Sequence, residues 1–245
     1  MNSRPAAVLA LLFCATAASA QTAEELVAKN LAAKGGIEKI KAIKTLRVTG
    51  RYENGGFKAK VGQDAKEAGL LRNTFTMQGM TEIKAYDGGA GWKISPFEGR
   101  KDPELVGEDE LRDLQEDADF YGHLVDYPQK GSRVEYLGRG QVDGDDAYRL
   151  KLMLKNGDVI YYFLDPDTFL EIRTETQQFV RGAVHESYQN IGSYKQVAGV
   201  YFPFSFESGS KADPNPPGKV TLDRIEANAP IDDAEFKMPA AADKK

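Results

Sequence analysis

Tyr148-Arg149-Leu150-Lys151-Leu152-Met153-Leu154-Lys155-Asn156-Gly157-Asp158-Val159-Ile160-Tyr161-Tyr162-Phe163-Leu164-Asp165-Pro166-Asp167 is the stretch that decides the fold. Tyr148, Leu150, Leu152 and Leu154 alternate with Arg149, Lys151, Met153 and Lys155, the period of two that places successive side chains on opposite faces of a sheet. Asn156-Gly157 then supplies residues that tolerate the positive φ of a tight hairpin turn. Val159 to Leu164 is apolar on both faces, and Asp165-Pro166-Asp167 turns the chain again into Phe169 to Glu175. Such a strand cannot rest on a single one-sided core, so something must cover its second face.

The same period extends outward in both directions. Leu46 and Val48, then Phe57, Ala59 and Val61, then Leu71, Asn73, Phe75 and Met77 alternate with polar neighbours. Ile83, Ala85 and Tyr86 lead to the Asp87-Gly88-Gly89 turn, and Ala90 to Ile94 stops before Pro96. Toward the C-terminus Phe202, Phe204 and Phe206 point one way, Lys211 to Gly218 reads as an exposed proline-rich loop, and Val220, Leu222 and Ile225 mark the last clear strand. The pattern is a meander of short antiparallel strands joined by glycine-containing turns.

Two helical segments are the candidates to cover that second face. Thr22 and Glu25 have capping-box spacing, and Ala23, Leu26, Val27 and Leu31 follow as an apolar stripe. Gly35-Gly36 should end that helix, with Ile37 to Ile40 as one more short helical piece. Leu111, Leu114, Ala118, Tyr121 and Val125 recur at steps of three and four up to Pro128, with Glu108, Asp109 and Glu110 suited to the positive end of a helix. If the helices fill the space completely, the result is an α+β core without a cavity. If they lid it only partly, an aromatic-lined groove remains, the usual form of a ligand site. Periodicity leaves both open.

The N-terminus reads as a secretory signal peptide over residues 1–20, leaving 21–245 as a single domain. Arg4 precedes the apolar run Ala6 to Phe13, and Ala18-Ser19-Ala20 offers small residues for cleavage after Ala20. The apolar run is shorter than the roughly 20 residues a membrane anchor needs. Cys14, the single cysteine, follows Phe13 where lipid attachment wants a small residue, so it belongs to the discarded segment. The mature chain would then carry no thiol or disulfide and no transmembrane segment. With Lys+Arg 32 against Asp+Glu 37 and a net charge of −5, no basic tract nominates a nucleic acid.

Candidate chemistry is sparse. His185-Glu186-Ser187-Tyr188-Gln189 opens like a zinc-peptidase helix but has Gln189 where the second histidine belongs, and His123 is remote in sequence. Asp165, Asp167 and Glu171 resemble the start of a calcium loop, with Leu170 in place of the required glycine. Gly138, Gly140 and Gly144 miss the dinucleotide spacing. Glu108 to Glu110 and Asp232-Asp233 read as helix starts and turns before they read as paired catalytic carboxylates, and Trp92 is the only tryptophan. No catalytic set, metal or cofactor is expected.

Three segments carry a family resemblance: Gly157 to Leu170, Tyr194-Lys195-Gln196-Val197-Ala198-Gly199-Val200-Tyr201-Phe202-Pro203-Phe204, and Ile231 to Pro239. Together with the opening helix ending at Ala33-Lys34-Gly35-Gly36, they resemble the outer-membrane lipoprotein-sorting (LolA-like) proteins of the bacterial periplasm. The likeness covers most of the mature chain in outline and is diagnostic only in those segments. It implies a strongly curved antiparallel β-sheet, a half-barrel, with helices covering its concave face. It also implies a periplasmic, monomeric, non-enzymatic carrier of lipoprotein or lipid, with inner- or outer-membrane sorting proteins as further partners. Trp92, Leu152, Tyr161, Phe163, Phe202 and Phe204 are the candidate lining of the hydrophobic site. An envelope protein-interaction or sensor module on the same fold, and a hydrolase, are the alternatives.

Overall fold

Thr22 caps the first helix, α1 (Ala23–Ala33), through a full capping box in which Thr22 and Glu25 exchange 3.2 Å hydrogen bonds with each other's backbone amides. The computed structural model describes residues 21–240 other than Arg181 and Pro214, so the expected signal peptide and Cys14 lie outside the described residues. α1 ends where Gly35 takes φ +126°, and a Cβ there would stand 2.3 Å from the carbonyl oxygen of Gly199. Glycine is needed both for the conformation and for that close approach. α2 (Ile37–Ala42) follows at once.

The first meander comprises β1 (Thr45–Asn54), β2 (Phe57–Lys66), β3 (Leu70–Met77), β4 (Met80–Tyr86), β5 (Gly91–Ser95) and β6 (Arg100–Leu105). After α3 (Glu108–Asp117) a second meander runs through β7 (Arg133–Val142), β8 (Asp145–Met153), β9 (Val159–Leu164), β10 (Glu171–Val180) and β11 (Ala183–Gly192). A small hairpin, β12 (Lys195–Val197) with β13 (Val200–Phe202), leads to β14 (Ser205–Ser210) and β15 (Gly218–Ala227). Thirteen strands form one antiparallel sheet in the order β6-β5-β4-β3-β2-β1-β15-β14-β11-β10-β9-β8-β7. The long-range β1–β15 and β11–β14 pairings weld the two meanders together.

This corrects the expected half-barrel. The fold is α+β with a large antiparallel sheet and few helices, but the sheet is one open ladder with β6 and β7 at opposite ends. Strands zip mainly to sequence neighbours through short turns, and among the described residues no pairing joins the two edges. The expected helix over Leu111 to Val125 is also shorter. α3 stops at Asp117, and Gly122 with φ +80° turns the chain, so Tyr121 to Val125 cross the sheet as turns. The polar stretches around Arg100 and Gly138 belong to β6 and β7.

Cross-strand register sorts the side chains onto two faces. On the front, Leu26 and Val27 of α1 pack with Leu150, Leu152, Ile160, Tyr162, Leu164 and Leu124. α2 contributes Ile40 to a cluster with Ile43, Val125 and Val200, and α3 sets Leu114 against Leu71 and Ala65. α3 lies so close to β5 that a Cβ on Gly91 would stand 3.1 Å from both Leu111 and Leu114. On the back, Phe163 packs with Val142, Ala147, Tyr161 and Ile172, so side chains of neighbouring strands cover the second face of β9. Behind the first meander runs the C-terminal segment, whose buried Phe236 accepts a 2.7 Å hydrogen bond on its carbonyl from Trp92 Nε1.

One polar clasp fixes α1 to the second meander. Glu171 is buried, and its carboxylate accepts hydrogen bonds from Lys34 Nζ at 2.6 Å and Tyr194 Oη at 3.0 Å. Burial pushes the Glu171 pKa up, but the Lys34 charge and these donors outweigh it and hold it below the ordinary carboxylate value. The stability this carboxylate adds is therefore whole above the unfolded pKa of about 4.3. It is lost as the pH falls through the lower folded value.

Three outcomes follow for urea titrations. Leu150→Ala, which opens a hole beneath α1 where Leu150 is fully buried, lowers the unfolding free energy by about 2–5 kcal/mol. Lys34→Met strands a buried carboxylate and costs about 3 kcal/mol at neutral pH. Glu171→Gln removes the part of the acid-induced stability loss that wild type shows below about pH 4.3.

Candidate functional site

α1 and α3 cover separate parts of the front face and leave its centre open. The rows of register show what is exposed there. Leu150 and Tyr162, beneath α1, continue across the sheet as Thr174, Gln189 and Ser208. The row from Leu222 continues through Gly50, Val61 and Phe75 to Glu82. The sheet thus changes from an apolar floor under α1 to a neutral polar lane on β10–β11, and then to an apolar wall on β14, β15 and β1–β3.

The wall bounds a cavity of about 520 Å³ lined by Leu46, Val48, Val61, Phe75, Phe206, Val220 and Leu222, among others. Its apolar side chains keep partial exposure, apart from buried Ile225. An open apolar hollow of this volume has the form of a candidate ligand site. At one end Phe75 meets Tyr52 at 5.7 Å, Phe57 at 6.1 Å and Phe97 at 6.2 Å between ring centroids, an aromatic rim at the hairpin tips. Gln63 and Asn73 satisfy each other at 3.1 Å within the wall.

Beside it, under the chain from Glu116 to Val125, lies a second chamber of about 420 Å³. Its polar members include Lys34, His123, Glu171, Thr174, Thr176, Ser187, Gln189 and Tyr194, and it shares Gln189 and Pro203 with the apolar cavity. His123 Nδ1 stands 3.2 Å from Asp119, but Asp119 also accepts 2.6 and 2.7 Å hydrogen bonds from Lys130 Nζ. Burial raises the Asp119 pKa, and the His123 and Lys130 partners overcome it and lower it below the usual value. These pairs clamp the turn from Asp119 to Lys130 over the sheet. Glu116, half-shielded, has its pKa raised by burial first and by Asp158 next, while Asn156 Nδ2 donates to it at 2.6 Å.

The candidate lining residues fall in different places. Phe202 lines the front cavity with Pro203. Leu152 is fully buried in the α1 cluster, and Phe204 is buried with Lys195 Nζ 4.4 Å from its ring centroid. Tyr161 and Phe163 pack on the back of β9, and Trp92 is buried behind β5 against the C-terminal segment. Val48, Val61, Phe75, Val220 and Leu222 form the wall without having been singled out for it. Their alternation is legible in the sequence, but which face of each strand meets a helix depends on the distant β1–β15 pairing.

The weak chemical motifs have structural duties. Asp165 Oδ1 accepts from Thr168 N at 2.7 Å, Thr168 Oγ1 at 2.8 Å and Asp167 N at 3.1 Å, so the calcium-like segment is a self-satisfied turn. His185 lies exposed in β11 opposite Gln178, and Asp232 caps the 3₁₀ turn Asp233–Phe236. Among the described residues no group of three or more His, Cys, Asp or Glu side chains converges to hold a metal ion. No helix among them is long and apolar enough to cross a membrane.

No model of a known protein family matches the sequence, and no curated protein matches it. Solved structures do match the fold. A LolA superfamily protein from Nitrosomonas europaea superposes with a TM-score of 0.60 at 12% identity, over 89% of this chain and 98% of that one. A DUF1329 family protein from Desulfovibrio piger gives a TM-score of 0.60 at 12% identity, over 88% and 97% of the two chains. A Vibrio parahaemolyticus domain named for outer membrane lipoprotein sorting gives 0.55 at 12% identity, over 86% and 97%. At this identity the likeness is one of architecture: the chain has the fold of solved LolA-superfamily and lipoprotein-sorting proteins.

Proposed function

We propose that this protein is a non-enzymatic carrier of acyl chains in the bacterial periplasm, exported by the segment 1–20 and receiving lipoprotein or lipid as cargo. The observation that carries the reading is the open apolar cavity of about 520 Å³ on the front of the sheet. Its volume falls within the range of small-molecule sites, roughly 300–1,000 Å³. Each methylene removed from water there is worth about 0.8 kcal/mol, so one acyl chain supplies several kcal/mol before the costs of association. The fold shared with LolA-superfamily structures supports the same reading. A second reading, an envelope protein-interaction module, draws on Phe179 and Val184, which are 61% and 59% exposed at the β10–β11 tip.

The test is native mass spectrometry of protein purified gently from a periplasmic extract, followed by lipid extraction. Stoichiometric acylated material is expected on the wild type. Phe75→Asp and Val220→Asp each place a charge in the wall and weaken acyl-chain uptake at least about tenfold, with the far-UV circular dichroism and urea midpoint kept. A folded wild type that is free of lipid and takes up none when offered contradicts the carrier and favours the interaction module.

A further inference from the structure

The neutral lane between the α1 cluster and the apolar wall has a composition of its own. Thr174 and Thr176 of β10 face Gln189 and Ser187 of β11 directly across the ladder. All four line the polar chamber, and Gln189 also lines the apolar cavity and a third hollow with Ser208, to which it donates at 3.0 Å. These side chains offer hydroxyls and an amide, donors and acceptors without charge. The lane adjoins the open apolar cavity and lies under the clamped strap of chain.

The charges around the lane are committed to one another. Lys34 is held at 2.6 Å by Glu171, and Lys130 at 2.6 Å by Asp119. On the other side of the cavity Lys84 and Lys93 both reach Glu110, at 3.1 and 2.7 Å. A phosphate entering here would find these cations already neutralised by carboxylates, and it would also meet Glu116 and Asp117 on the chamber's own wall. An uncharged polar group meets neither cost, and finds partners in Thr174, Thr176, Ser187 and Gln189.

We propose that the β10–β11 lane is a headgroup subsite for the uncharged, ester-bearing glyceryl part of a diacylglycerol-type group, whose acyl chains lie on the adjoining apolar wall. The proposal rests on the acyl-chain reading above and adds to it a polar selectivity: neutral diacylglyceryl heads are accepted and phosphate-bearing heads are rejected. Two sources share this chemistry, a free diacylglycerol and the diacylglyceryl group on the N-terminal cysteine of a lipoprotein.

Displacement of a fluorescent fatty-acid probe from the full mature chain tests this with three ligands of equal chain length. They are dioctanoylglycerol, dioctanoyl phosphatidate and N-acetyl-S-(dioctanoylglyceryl)cysteine amide, whose blocked amine leaves it uncharged. At least one neutral ligand is expected to bind about tenfold or more tighter than the phosphatidate, and the tighter of the two neutral ligands identifies the source. In Thr174→Val/Thr176→Val the preference shrinks to about two- to threefold or less, while probe binding persists. Thr174→Ser/Thr176→Ser, which keeps the hydroxyls, retains the preference. Equal or tighter binding of the phosphatidate, or a preference that the valine variant leaves intact, overturns the subsite and leaves the carrier reading standing. Failure of all three ligands and the probe to bind overturns both.

Discussion

The structure turns on a mismatch of area. Thirteen strands spaced about 4.8 Å apart make a ladder on the order of 60 Å across. The helices laid on its front have 11, 6 and 10 residues, the longest about 16 Å end to end. Such helices cannot bury that face. α1 takes the part over β8–β9, α3 takes the part over β3–β5, and the centre stays apolar and open. The back needs no such partner, because strand side chains cover β9 there and the C-terminal segment covers the first meander.

The lids are held by polar clasps as well as by apolar packing. Lys34, Glu171 and Tyr194 tie the end of α1 to β10 and to the chain entering the β12–β13 hairpin. Lys84 and Lys93 tie α3 to β4 and β5 through Glu110, and Arg112 and Gln178 link α3 with the β9–β10 side. Lys41–Asp126 and the Asp119–Lys130 pair hold down the strap between α3 and β7. Since exposed ion pairs contribute little singly, the buried Glu171 is the member whose loss should be felt.

Local signals in the sequence were strong where one residue type satisfies one local demand. The Thr22/Glu25 capping box, the helix end at Gly35-Gly36 and the Asn156-Gly157 turn are all present in the structure. Leu150, Leu152, Ile160 and Tyr162 share the α1 cluster, as their alternation implies. β6 and β7 were obscured because they are rich in charge and glycine and have little apolar alternation. The half-barrel came from resemblance, and the register of an open ladder replaced it. The cavity was the least legible feature. Its wall joins strands as far apart in sequence as Val61 and Leu222, through a pairing that no local pattern encodes.

The central claim is that acyl chains lie on the wall formed by β14, β15 and β1–β3. Its most direct measurement is an isotope-filtered NMR experiment on methyl-labelled protein with a saturating unlabelled acyl ligand. The account predicts intermolecular NOEs from the chain methylenes to the methyls of Val48, Val61, Val220 and Leu222, with none to Leu150 or Leu152 beneath α1. NOEs confined to the α1 cluster or to the exposed Val184 tip would contradict it.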